Sequence, residues 1–303
     1  DEAQRETAAM TTLSPSAPVT VKERGAFAKR VLSNGALVIG LVIIAAIVFL
    51  AAFAPVIAPF DPLHVDPLAR YQPPLTGWHL LGTDELGRDI LSRLIYGARF
   101  ALLVAILPTV IALVIGGAIG LTAGYLGGFW DSFVMRVFDV MFAFPGILLA
   151  LGISAALGPG LSSMIIAMVV VTIPAFGRIV RGVVLGVKEE LYVEAARTLG
   201  YSNTRMALRH ILPNVLGPAV VYGTLQTGRN VILSASLSFL GLGPQPPTPE
   251  WGQMLSSGRV AIATAAHVAT IPGLAIVLLA IGFNLIGDGA RDMLDPRFSK
   301  DRS

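Results

Sequence analysis

Phe100 to Tyr125 reads FALLVAILPTVIALVIGGAIGLTAGY, 26 residues without one Asp, Glu, Lys or Arg. A hydrocarbon core about 30 Å thick is crossed by about 20 helical residues, so this stretch is long enough to span a bilayer. Its apolar character is continuous where a β-barrel strand would alternate, and a helix satisfies its backbone hydrogen bonds within one segment. An all-α integral membrane fold follows. Within and just beyond the stretch, Gly116, Gly120, Gly124 and Gly128 recur at four-residue spacing. Such a stripe lets two helix backbones approach closely, and helix packing is favoured over a gating role.

Five further apolar stretches lie around it, at Ala36 to Val56, Trp130 to Leu157, Ser163 to Val187, Pro213 to Leu242 and His267 to Ile286. The whole chain is 54% hydrophobic and 14% charged, against roughly 25% charged in soluble proteins. Net charge is only +3, so placement is more informative than total. Lys22, Arg24, Lys29 and Arg30 precede the first stretch; Arg178 and Arg181 near the end of the fourth are followed by Lys188, Arg197, Arg205 and Arg209 before the fifth; Arg291, Arg297, Lys300 and Arg302 follow the last. With six spans these regions share one side, which the positive-inside rule assigns to the cytoplasm along with both termini. The segment from Ala58 to Arg99 mixes both signs of charge, as an external loop does. With no cysteine, disulfides and thiolate metal sites are excluded. The first apolar run exceeds the usual length of a signal peptide and reads as a retained anchor.

Residues 1 to about 20 are rich in Ala, Thr, Ser and Pro and read as a disordered tail, with Met10 an alternative candidate for the first residue. Ser33-Asn34-Gly35 supplies an N-cap for the first span. In the external segment, Pro59, Pro62, Pro67, Pro73 and Pro74 rule out a continuous helix. After Thr83, read as an N-cap with Asp84 and Glu85 in the first turn, Leu86, Ile90, Leu91, Leu94 and Ile95 predict an amphipathic helix along the membrane surface, against the alternative of a solvated connector. Pro145 and Pro174 predict kinks in the third and fourth spans. The proline-rich stretch from Gly243 to Pro249 predicts an external turn, with Trp251 as an interfacial aromatic. The chain thus divides into a cytoplasmic tail (1–30), a first transmembrane helix (31–57), an external segment (58–98), a five-helix transmembrane domain (99–288) containing a cytoplasmic loop (189–214), and a cytoplasmic tail (289–303).

That loop is polar between apolar neighbours. Leu191, Ala195 and Leu199 share one helical face with Tyr192 and Ala196 beside them, while Glu190, Glu194 and Arg197 lie opposite. Gly200 stands where a helix ends in a left-handed residue. Ser202 can cap a second short helix carrying Met206, Leu208 and Ile211, and Pro213 suits the first turn of the fifth span. Helix, glycine turn, helix makes a rigid docking element, and the small Ala195 and Ala196 permit close approach. The residues alone leave docking element and solvated loop equally open.

Glu194-Ala195-Ala196 with Gly200 and Leu212-Pro213 resembles the EAA loop of permease subunits in bacterial ABC importers, with His210 where many members carry an aliphatic residue. The blocks Leu81-Gly82-Thr83-Asp84 through Gly87-Arg88-Asp89, Leu237 to Gly243, and Gly287 to Asp292 through Asp295-Pro296-Arg297 resemble the C-type permease subunit of dipeptide and oligopeptide importers. The resemblance covers the chain from about Lys22 onward. It implies a type I importer: an extracytoplasmic solute-binding protein delivers solute, two homologous permease subunits form the path, and two ATPase subunits carrying ATP and Mg drive alternating access through the loop. On that resemblance Glu194, Ala195, Ala196, Gly200, His210, Leu212 and Pro213 are the ATPase-coupling positions. Ser234, where relatives often have an acidic residue, and His267-Val268, where an aromatic is common, depart from the pattern near the outer half of the path and weaken inference about substrate preference.

A charge inside the membrane is costly unless paired or facing water. Arg229, with Asn230 and Ser234 nearby, is the candidate for lining the solute path, where it could meet a peptide carboxylate; Arg136 and Asp139, at i and i+3, read as a structural pair. His64, His79, His210 and His267 never take i, i+4 metal spacing, so no metal site is expected. No phosphate-binding G-x-x-x-x-G-K-[ST] occurs: between Gly182 and Lys188, Val187 intrudes. No catalytic site and no cofactor are expected in this chain, and nothing suggests nucleic acid as a partner. Import of a nickel chelate or another small solute by the same family, a secondary transporter or channel, and a membrane scaffold are the competing functions.

Overall fold

The computed structural model describes residues 31–294, and from Asn34 onward these belong to one compact unit. The basic clusters at Lys22 to Arg30 and Arg297 to Arg302, the N-terminal tail and the Asp295-Pro296-Arg297 block lie outside the described residues. Among those described there is no β-strand, only two isolated bridges.

Helix α1 (Gly35–Ala52) starts where Asn34 Oδ1 accepts the Leu37 N–H at 3.1 Å, as expected from its sequence. It breaks at Phe53, and α2 (Ala54–Ile57) follows with Pro55 in its first turn. Helix α3 (Ile90–Leu126) is continuous over 37 residues. The helix expected after Thr83 is not a separate surface element: Ile90, Leu91, Leu94 and Ile95 form the first turns of α3, and Leu86 lies outside it. Asp89 is the N-cap instead, its Oδ2 accepting the Ser92 N–H at 2.7 Å and the Ser92 hydroxyl at 2.8 Å. Residues 83–88 form a turn because Asp84 Oδ1 takes the N–H groups of Leu86 and Arg88, at 2.9 and 3.0 Å, and because Gly87 sits at φ +77°. Asp84 and Arg88 are both buried and ion-paired at 2.7 Å, with Arg93 of α3 at 3.4 Å from the same carboxylate oxygen. The turn is therefore fastened to the head of α3 by charge.

The third apolar stretch is two helices, α4 (Gly128–Phe142) and α5 (Gly146–Leu157), bent by 89° at the Pro145 break. Helix α6 (Leu161–Lys188) runs unbroken through Pro174. Helix α9 (Leu212–Phe239), the short α10 (Trp251–Gly258) and α11 (His267–Leu294) complete the bundle, so α11 runs past the boundary expected at 288. Among the described residues, four helices (α1, α3, α6, α11) are long and apolar enough to cross a membrane, or five with the bent pair. The expected sixth, α9, is 28 residues or about 42 Å long, but Asn214, Gln226, Arg229 and Asn230 make it less apolar.

Helices α3 and α6 form the closest contact. A Cβ added at Gly120 would lie 2.2 Å from the Gly177 carbonyl oxygen, and one at Gly116 would lie 2.5 Å from that of Ile173. The glycine stripe is a packing seam. Gly128, expected on it, lies past the helix end at Gly127 and begins α4 with φ +60°. Trp251 faces the chain and not the lipid: it is 3% exposed, lies against Gly97, and donates its indole N–H to the Leu94 carbonyl at 2.9 Å.

Candidate functional site

Helix α7 (Leu191–Thr198) and helix α8 (Asn203–Met206) lie at the end of the bundle reached by the C-terminus of α3, opposite the 58–89 segment. Between them the chain closes a full Schellman motif: Gly200 N–H donates to the Arg197 carbonyl at 3.0 Å and Tyr201 N–H to that of Ala196 at 3.3 Å. Gly200 takes φ +78°, the left-handed conformation its position requires. Ser202 caps α8 through the Arg205 N–H.

The second helix differs from expectation. A π-turn over Ala207–Ile211 joins α8 directly to α9, with Leu212 N–H donating to the Ala207 carbonyl. The wider turn precedes Pro213, whose missing N–H and bulky ring would otherwise clash with a regular ladder. Helix α8 is thus welded to α9.

Val193, Ala196, Met206 and Ile211 are buried together with Val180 and Val184 of α6 and Val215 of α9. Two polar contacts add to this: Asn214 Nδ2 donates to the Tyr192 hydroxyl at 3.1 Å, and the Tyr125 hydroxyl donates to Asn203 Oδ1 at 2.9 Å. What remains outward on α7 is Leu191 (81% exposed), Tyr192, Glu194, Ala195, Arg197, Thr198 and, just beyond it, Leu199 (75%). Ala196, expected to face a partner, is 5% exposed and packs inward because Val193 and Ala196 form the buried stripe at i, i+3. His210 is partly buried, its ring 5.5 Å from that of Tyr201, and its Nε2 is enclosed without a partner. Leu212 is half-buried and Pro213 exposed.

Arg136 and Asp139 do not pair. Arg136 is exposed, and Asp139 instead holds Arg178 of α6, while Asp131 holds Arg181, with Arg181 Nη2 2.6 Å from Asp131 Oδ2. Both pairs pin α4 to α6 across 39 and 50 residues of sequence, a partnership no local spacing could reveal.

The three path candidates separate. Asn230 (0% exposed) and Ser234 (3%) point into the chain. Asn230 Nδ2 donates to Thr109 Oγ1 of α3 at 2.9 Å, Thr227 Oγ1 donates to the same hydroxyl at 3.2 Å, and Gln226 Nε2 donates to Asn230 Oδ1 at 3.2 Å. This ladder, built of groups that would cost several kcal/mol each if unpaired in lipid, ties α3 to α9. Arg229 points away from it and is exposed. It shares its face with Ile232 (56% exposed), Ser236 and Leu240 (55%), three residues that also line a mostly apolar groove of about 630 Å³ between α9 and α11.

Two family models match the sequence. Residues 116–300 match the binding-protein-dependent transport system inner membrane component, and residues 25–74 match the N-terminal TM domain of oligopeptide transport permease C. The chain is 44% identical to the dipeptide transport system permease protein DppC of Alkalihalophilus pseudofirmus over 269 residues, 89% of this chain and 88% of that protein. It is 47% identical to the glutathione transport system permease protein GsiD of Escherichia coli O6:K15:H31, and 43% identical to that of Pectobacterium atrosepticum, in each case over 83% of both chains. An anchored outward helix at one end of a multi-pass bundle accords with these matches, and the chain belongs to the binding-protein-dependent transport system inner membrane components, the permease subunits of ABC importers.

Proposed function

We propose that this chain is one of two homologous permease subunits in an ATP-driven importer of di- and oligopeptides. Glu194, Ala195 and Gly200 belong to an element that docks on an ATPase subunit, and Ala196, His210, Leu212 and Pro213 fasten that element to the spans. ATP and Mg are held by two such ATPase subunits, solute arrives from an extracytoplasmic solute-binding protein, and the docking end and both termini are cytoplasmic. The observation that carries the proposal is α7: exposed Leu191 and Tyr192, with Leu199 just beyond, on a helix whose other side is packed into α6 and α9. A push on that face must move the spans, because Val193 and Ile211 are both 0% exposed within the shared cluster. Replacing Leu191 and Leu199 together with Asp should abolish co-purification of the ATPase subunits while leaving the chain folded; unchanged association would reject the docking role.

Peptide as the solute is supported by Arg229, an exposed cation adjoining an apolar groove, which suits a carboxylate beside an apolar side chain. The relatives' own names, dipeptide and glutathione transport, are both of carboxylate-bearing peptides. Arg229→Ala should reduce dipeptide uptake in proteoliposomes; wild-type uptake at normal stability would remove Arg229 from the path. A nickel chelate is the discriminating alternative, read out by which solute the cognate binding protein takes up.

A further inference from the structure

Arg99 is an exposed cation without a carboxylate partner among the described residues. Helix α3 is 37 residues, about 55 Å, so with a 30 Å core centred on it about 12 Å projects at each end. Arg99, about 13 Å from Ile90, therefore stands at the hydrocarbon boundary. An independent marker agrees: α1 is 18 residues, about one bilayer core in length, and Arg99 Nε donates at 2.6 Å to the carbonyl of Ala51 at its last turn. The guanidinium also lies 5.4 Å from the Tyr96 ring centroid. It is held in place, with one terminal nitrogen free of these contacts.

Arg99 lines a cavity of about 790 Å³ whose opposite wall comes from the 58–89 segment and includes Asp61. Asp61 is exposed, and one of its oxygens accepts the Leu63 N–H at 2.8 Å, leaving the other available. Below Arg99 on the same face of α3, Leu103, Leu107, Val110 and Val114 recur at three- and four-residue steps, each 39% or more exposed. A cation and an anion share a cavity at headgroup depth, and an apolar track leads from it into the membrane. We propose that this cavity binds the headgroup of a phospholipid bearing both a phosphate and a primary ammonium, phosphate on Arg99 and ammonium on Asp61, with an acyl chain along the Leu103–Leu107–Val110 track.

Native mass spectrometry of the purified full chain tests this, with phosphatidylethanolamine, phosphatidylcholine or phosphatidylglycerol added. One phosphatidylethanolamine per chain should be held in preference to the others. Arg99→Gln should weaken retention of all three about fivefold, the effect of one basic side chain at a membrane surface, and Asp61→Asn should remove only the preference for the ethanolamine lipid. Asp61→Asn keeps its cap acceptor, so it remains decisive if Arg99→Gln fails to fold. Equal retention of the three lipids by the wild type, or an unchanged preference in Asp61→Asn, overturns the proposal. So does displacement of the lipid by glycylglycine, which would make the cavity a peptide site, or a disulfide from Leu107→Cys to a second protein chain in membranes.

Discussion

Gly200 separates conformational cost from packing cost more cleanly than any other position near the docking helix. A Cβ added there meets nothing within 4 Å, yet the residue sits at φ +78°. The whole penalty of Gly200→Ala is therefore torsional, roughly 1–2 kcal/mol for a side chain forced into the left-handed region. Asn visits that region readily and should cost only a fraction of this; Val, β-branched, should cost more. The Schellman bonds from Gly200 and Tyr201 to the carbonyls of Arg197 and Ala196 depend on that conformation, so the loss should fall on local opening of α7. Hydrogen exchange of residues 191–206 reads it directly: 1–2 kcal/mol is roughly 5- to 30-fold faster opening in Ala, with Asn near wild type. Gly182→Ala, also free of contacts within 4 Å but inside α6, should leave exchange unchanged or slow it. In the assembled importer Gly200→Val should raise ATP hydrolysed per peptide transported. Equal exchange in the Ala and Asn variants would refute the torsional account, as would acceleration spreading to the α3–α6 seam.

Gly120→Ala should be severe, because its Cβ would overlap the Gly177 carbonyl at 2.2 Å, whereas Gly117→Ala, whose nearest neighbour is a Val180 methyl at 3.8 Å, should be neutral or slightly stabilising; thermal unfolding in detergent compares the two. Asp84→Asn leaves the buried Arg88 and Arg93 without their shared carboxylate and should cost about 3–5 kcal/mol, seen as loss of folded yield. Burial raises the Glu250 carboxyl above its usual range, against the opposing N–H groups of Gly252 and Gln253. Its stabilising contribution is full below the unfolded value near 4.5 and is lost as pH rises through the raised folded one. Relative to Glu250→Gln, the wild type should lose thermal stability across that rise, and a constant difference between the two proteins would reject it.

Legibility in the sequence follows the range of the interaction. Asn34, Gly200 and Ser202 act on N–H or carbonyl groups within a few residues, and each cap is readable from its neighbours alone. The start of α3 is also a local cap, yet the sequence pattern points to Thr83, because two acids follow Thr83 as a first turn would require. What decides between Thr83 and Asp89 is not local. Thr83 is 0% exposed, its hydroxyl spent on Ala69 and Gln72, and Asp84 is committed to Arg88 and Arg93. A competing tertiary use of a capping side chain is invisible to a pattern confined to the chain around it.

The site obeys the same rule with a functional consequence. The sequence singles out the intramembrane polar residues, but position along a helix does not say which way each one faces. Asn230 and Arg229 are adjacent and about 100° apart; one completes a ladder to Thr109, the other faces away. The ladder needs Thr109, 121 residues distant, to absorb the Asn230 amide, and once that partner is placed Arg229 remains as the exposed member of the adjacent pair. If α9 crosses the bilayer, a cation that its own chain leaves exposed there must meet water, solute or another subunit. The buried neighbour thus sharpens the case for Arg229 by removing itself from the path.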